Sequence, residues 1–311
     1  DSGSLAQELL GSDPPPRLRS LAETILVECE PFRNVRTSSS VLASIRLDRF
    51  LRGDHLTHLK ALADCLAEID LLWAMGATTR HHAWVFPELI RGDRFMAEGT
   101  GLRHPVLPTA VPNDVAVAVD EPVMFLTGPN MAGKTTYLRS VGLAVLLGQL
   151  GMGVPAQWFR LAPAEVLLTS LNPTDNLQAG ISYYYAEVLR VKEAAAHAAE
   201  GRKCFVIFDE IFKGTNVKDA LEASEVVISQ FAKSKRGGAL FASHLVELAE
   251  PLAATGLVAL KCFEGSVSDG RPRFSYELKP GASSQRFGLA LLDEAGVPEL
   301  LDQIDQPRPA P

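Results

Sequence analysis

Residues 126–140 read LTGPNMAGKTTYLRS, and no other stretch restricts the possible folds so sharply. Gly128, Gly133, Lys134 and Thr135 fit the pattern G-x-x-x-x-G-K-[ST]. The apolar run VMFLT (123–127) leads in as a strand, and a helix of about 16 residues is expected from Gly133 onward. The glycines let the backbone curl so that successive N–H groups point inward, and the new helix adds its positive end. Lys134 is expected to reach the β and γ phosphates of a nucleoside triphosphate, and the Thr135 hydroxyl to ligate Mg²⁺. The bland reading is a plain glycine turn. It is the weaker one, because chance supplies these four positions in roughly one chain in a hundred of this length.

A carboxylate pair follows 75 residues after Lys134, where CFVIFDE (204–210) runs as an apolar strand into Asp209 and Glu210. Two acids after a strand are common at loop starts. With the phosphate loop upstream, Asp209 is expected to hold Mg²⁺ through water and Glu210 to polarise the attacking water. Another strand, ALFASH (239–244), ends on His244 at the carboxyl edge, where a parallel sheet gathers ligands. His244 reads as a γ-phosphate sensor or as a capping or packing histidine, and the shared edge favours the sensor.

Around these motifs the periodicity is regular. Helical faces are expected at 17–30, through Leu18, Leu21, Ile25 and Leu26, and at 55–76, ending at Gly76. Residues 77–112 read as a bridging segment. Strands are expected at 115–119, 123–127, 165–170, 203–210, 238–243, 256–264 and 273–278, the last at an edge. Helices are expected at 182–200, 217–233 and near 245–253, with two short ones closing the chain. This alternation predicts an α/β domain with a mostly parallel sheet flanked by helices, preceded by a small all-α segment. The expected division is 1–98 helical, 99–305 phosphate-loop domain and 306–311 a disordered tail.

The net charge of −7 is unlike that of a protein gripping nucleic acid through many phosphates. Four scattered cysteines lack any C-x-x-C pair, as expected of reduced thiols in a cytoplasmic protein. Neither histidine pair, His55/His58 or His81/His82, has companions at metal-ligand spacing. The longest apolar run, 141–156, is too short and too broken by glycine and proline to span a bilayer. The chain begins DSGS without methionine or a visible signal peptide and is expected to be either a product engineered for expression or a piece of a longer protein.

Taken together, the tokens TGPNMAGKTTYLR, VPA (154–156), DNLQAGISYYYAEVLR (175–190), DEIFKGTN (209–216), FASH (241–244) and LKPGASSQRFGLALLDEAGVP (278–298) resemble the ATPase domain of the MutS family of DNA mismatch-repair proteins. LRHPVL (102–107) and VPND (111–114) extend the likeness upstream. The resemblance implies an ABC-type ATPase that binds and hydrolyses ATP with Mg²⁺ and works as a homodimer with composite sites. In that family the loop residues Gly128, Pro129, Asn130, Met131, Ala132, Gly133, Lys134, Thr135 and Thr136 surround the nucleotide. Asn130 would contact the γ phosphate or the attacking water. Asn176, Gly180 and Ser182 would form the signature loop that reaches the other subunit's nucleotide; a plain Ser N-cap is the local alternative. Gly214, Thr215 and Asn216 would lie at the dimer seam, with dimerisation helices after Pro280.

The sequence departs from the family where many relatives carry an adenine-stacking aromatic. Ala110 and Val111 stand there, so Val111 and other apolar contacts are left to hold the base. FPE (86–88) spells the Phe-x-Glu of mismatch readers but lies just ahead of the ATPase stretch, where it reads as coincidence. DNA belongs to the family context, yet the acidic balance predicts that this chain binds it weakly, if at all. The alternative function is a nucleotide-gated dimerisation module with little catalysis.

Overall fold

The computed structural model describes residues 2–33, 35, 40–53, 55–107, 109–171, 183–268, 271–285 and 287–301. It divides into two compact units, residues 1–80 and 81–311. The expected boundary at 98/99 falls inside a strand of the second unit, Met96–Leu102.

The first unit contains α1 (Ser2–Gly11), α2 (Pro16–Cys29), α3 (Val41–Arg52) and α4 (Leu56–His81). Prolines 14–16 start α2 where a missing N–H costs nothing. Leu21, Ala22 and Ile25 then turn inward against Ala6 and Cys65, with Leu18, Leu26, Leu62 and Ile69 around them. Arg17 on α2 forks onto Glu68 of α4 at 2.5 and 2.6 Å. Gly76 does not end α4. A helix-interior glycine costs only about 1 kcal/mol relative to alanine, and the helix runs on with the Thr79 hydroxyl donating to the Met75 carbonyl at 2.8 Å.

The second unit is mixed α/β, as expected, but holds two sheets. The larger has six strands, β4 (Val123–Thr127), β6 (Val166–Ser170), β7 (Cys204–Asp209), β8 (Gly238–Ala242), β9 (Val258–Ser268) and β10 (Arg271–Pro280). Their order is β10-β9-β4-β8-β7-β6. Every pairing from β9 to β6 is parallel, and β10 returns antiparallel along the edge. The helices between them are α5 (Lys134–Gln149), α6 (Tyr183–Ala199), α7 (Val217–Ala232) and α8 (Ala249–Ala253), and α9 (Gly288–Glu294) and α10 (Val297–Leu301) close the unit. Alternate residues of the buried strands divide between two cores. Met124 and Leu126 join Leu138, Val141 and Val145 of α5. Val123 and Phe125 join Ile228 of α7 and Leu252 of α8. Full burial of such side chains contributes about 1.5–3 kcal/mol each.

The smaller sheet, ordered β1-β5-β2-β3, was not legible in the sequence. It comprises β1 (Glu88–Leu89), β2 (Met96–Leu102), β3 (Asn113–Val117) and β5 (Trp158–Ala162). Residues 77–112 are therefore more than a bridge, and the strand expected at 115–119 lies in this sheet, at Asn113–Val117. The reason lies in β2, MAEGTGL, whose glycines erase the alternating pattern. A Cβ at Gly99 would sit 2.5 Å from the Phe159 ring, so the glycine is what admits the neighbouring strand's aromatic. Among the described residues, no helix is long and apolar enough to cross a membrane.

Candidate active site

β4, β7 and β8 are neighbours, with Leu126 opposite Ala242 and Ala242 opposite Asp209. Their carboxyl ends therefore open side by side. The Ser243 N–H donates to Leu126 O at 3.0 Å and the Glu210 N–H to Ala242 O at 2.8 Å, which locks the three ends together. Each strand leads into a loop that carries one of the three motifs.

After β4 the chain turns through Gly128 at φ +140° and Gly133 at φ +104°. A side chain at Gly128 would stand 2.7 Å from the Phe263 carbonyl, so glycine is required both by torsion and by space. Met131 takes a left-handed φ of +66° and points outward, 69% exposed. α5 starts at Lys134 without a side-chain cap, leaving its first N–H groups facing the loop. Lys134 itself is buried and folds back over the loop, donating to Gly128 O at 2.7 Å and Pro129 O at 3.1 Å. Burial pushes its ammonium pKa down, while Glu210 and Asp209 pull it up.

The Thr135 hydroxyl donates to Asp209 Oδ2 at 2.5 Å, across the gap between α5 and β7. The other oxygen, Asp209 Oδ1, is shielded from solvent and has no hydrogen-bond partner. Buried carboxylate oxygens are rarely left so, and an orphan beside a hydroxyl suits a hard divalent cation. Glu210 comes next with φ +53°. Its carboxylate lies 3.9 Å from Lys134 Nζ and 3.9 Å from His244 Nδ1, and it forms an ion pair with Lys213. Lys134, Thr135, Asp209, Glu210 and His244, all expected from the motifs, thus share one edge. His244 is the most open of them, its side chain 58% exposed.

A cleft of about 400 Å³ beside the loop is lined by Val111, Asn113, Asn130, Lys134, Thr135 and Tyr276, among others. Tyr276 was not expected there from the sequence. It sits in a β9–β10 register shift between Phe274 and Leu278, at φ +57°. Asn113 staples that bulge from both sides, its Nδ2 donating to Tyr276 O at 2.9 Å and its Oδ1 accepting from Leu278 N at 2.6 Å. His104 also lines the cleft; burial and the Arg139 charge push its pKa down. A second cleft, about 970 Å³, shares Pro129, Asn130 and Glu210 and runs on past Gly128, His244, Thr215 and Ser283.

Asn216 caps α7, accepting the Asp219 N–H at 2.9 Å, and Gly214 packs against the first turn of α6. The signature-loop residues Asn176, Gly180 and Ser182 lie outside the described residues.

Comparison with known proteins bears on this same edge. The sequence model of MutS domain V matches residues 124–306. The chain belongs to the MutS family. A protein named DNA mismatch repair protein MutS from Brevibacillus brevis is 30% identical over 255 residues, covering 78% of this chain and 29% of the relative. Its namesake from Halalkalibacterium halodurans is 30% identical over 276 residues, 84% of this chain and 31% of that protein. For Caldanaerobacter subterraneus the values are 29% over 299 residues, 91% and 32%. The chain thus spans about a third of the length of these MutS relatives. The domain V match opens inside β4 and runs beyond α10, so it takes in all three strand ends and their loops.

Proposed function

We propose that this chain is the ATP-binding and ATP-hydrolysing part of a MutS-type protein, an ABC-type phosphate-loop domain whose sites are completed by a second copy. One observation carries the reading: a buried lysine, a hydroxyl paired with a carboxylate, and a second carboxylate converge on a glycine loop at one sheet edge. The loop N–H groups and the α5 N-terminus take the phosphates, and Lys134 exchanges its two loop carbonyls for phosphate oxygens. Thr135 and Asp209 are the residues that would hold Mg²⁺, with Asp209 Oδ1 free to accept it. When bound, Mg²⁺ supplies charge neutralisation on the polyphosphate. Glu210 orients and deprotonates the attacking water, and Asn130 and His244 border the terminal phosphate. Gly214, Thr215, Asn216 and the segment after Pro280 form the dimer seam, with Asn176, Gly180 and Ser182 reaching across it.

The relatives are named for DNA mismatch repair, and we extend that context, and a cytoplasmic setting, to this chain. With a net charge of −7, direct binding to duplex DNA is expected to be weak and to fall steeply with salt.

Calorimetry tests the core of the proposal. Titrating ATP with Mg²⁺ is expected to give saturable heat that chelation of the metal reduces; no heat at all would end the reading. The base is a separate matter. Tyr276 supplies the aromatic face missing at Ala110 and Val111, and base–aromatic stacking is worth about 1–3 kcal/mol. Tyr276→Ala is therefore expected to raise the KM for ATP roughly 10-fold with little change in kcat, measured by steady-state phosphate release.

One observation favours the second reading, a nucleotide-gated dimerisation module with little catalysis. Lys213 ion-pairs the Glu210 carboxylate, which holds it away from the role of a free base.

A further inference from the structure

Tyr184, Val188 and Val191 form the apolar face of α6 that packs with Ala194 into the core shared with α7 and α8. Glu187 interrupts that face and is itself only 3% exposed. A carboxylate so placed needs donors. The backbone N–H groups of Gly214, Phe212 and Lys213 act on it in favour of its charged form. Burial pushes its pKa up, and the Gly214 N–H, the Lys213 charge and the remaining N–H groups pull it back. Oε2 has no hydrogen-bond partner.

The segment that Glu187 grips begins at Glu210. Its backbone is strained, with Glu210 at φ +53° and Phe212 at φ +64°, so it persists only if its surroundings enforce it. The Glu210 N–H is fastened to Ala242 O at one end. At the other, Gly214 lies so close to α6 that a Cβ would stand 2.8 Å from the Tyr184 nitrogen, and the Tyr184 and Phe212 rings are 5.8 Å apart.

We propose that Glu187 is a positioning residue: through the backbone of residues 212–214 it holds the Glu210 carboxylate in place and ties it to α6. In sequence α6 follows directly on the Asn-Leu-x-x-Gly-x-Ser run. The proposal rests on the reading of Glu210 as the water-activating group. It makes Glu187 the connection by which a change at the run before α6 reaches that group. Glu187 lines neither of the two clefts beside the loop. Its removal therefore acts on kcat and spares the cradle of residues 128–136.

The test compares Glu187→Ala, Glu187→Asp and Glu187→Gln by steady-state ATP hydrolysis and by hydrogen–deuterium exchange without nucleotide. Ala removes the acceptor, Asp withdraws it by one methylene, and Gln keeps an oxygen at full reach. Ala and Asp are expected to lower kcat at least about 10-fold with KM for ATP within about twofold, and Gln to recover most of the loss. Exchange at residues 212–214 is expected to quicken in Ala and Asp but not in Gln. Unchanged kcat in Asp and Ala, or a KM rising in step with the loss, overturns the proposal. So does unchanged exchange at 212–214. If the unaltered chain hydrolyses no ATP, the functional reading fails instead, and the exchange data still decide whether Glu187 holds the loop. Should the Ala variant fail to fold, the contrast between Asp and Gln decides the matter by the same two measurements.

Discussion

Glu210→Gln is expected to bind Mg-ATP at least as well as the unaltered chain and to hydrolyse it about 10²–10⁴-fold more slowly. The substitution keeps the size of the side chain but removes its ability to take a proton from water. Binding is spared for an electrostatic reason. Glu210 is the anionic neighbour of both Lys134 and Lys213, at the edge where a polyphosphate would arrive. Neutralising it leaves two cations less compensated and lowers repulsion toward the γ phosphate. If ATP joins two copies through their shared sites, blocking hydrolysis should also trap that state. Light scattering with ATP and Mg²⁺ is then expected to show more dimer for the variant than for the unaltered chain. Equal turnover by both proteins would remove Glu210 from catalysis and leave the binding-module reading. A variant that stays monomeric with every nucleotide would remove the composite site.

The parts of this site that could be read from the sequence are the parts made of contiguous residues. A glycine loop announces itself because the torsions at Gly128 and Gly133 are open to little else, and the apolar run before Asp209 is buried on both faces. Strand-end position then follows from parallel topology, which is why His244 could be assigned to the same edge as Lys134 and Asp209. The hidden parts depend on contacts between distant segments. Tyr276 reaches the cleft only because a bulge turns it and Asn113, 163 residues earlier, pins that bulge. Glu187 breaks an apolar helical face, and the groups that favour its charge are backbone N–H groups that no side-chain pattern reveals. The second sheet was missed for a related reason, since a strand that makes room for a neighbour's ring with glycine loses the alternation by which strands are recognised. Gly76 erred the other way, as a stop signal that the helix simply passed through.

Lys134→Met separates the cost of the phosphate loop from its use. ATP at about 100 times its Kd stabilises a single-site protein by about 2.7 kcal/mol. For a domain of this size that is roughly 5–10 °C in Tm, and Lys134→Met is expected to lose nearly all of it. Without nucleotide the variant is expected to melt at the same temperature or higher. Lys134 is an ammonium buried to 5% exposure, and burial is the largest influence on it. Two loop carbonyls and a carboxylate 3.9 Å away offset that penalty only in part. Methionine has similar length and none of the desolvation cost. The opposite outcome, a large drop in the ligand-free Tm with the nucleotide shift intact, would mean that Lys134 is there to hold Gly128 and Pro129 in shape. A ligand-free Tm that holds or rises, together with a lost nucleotide shift, would make polyphosphate binding the reason this lysine lies in the interior.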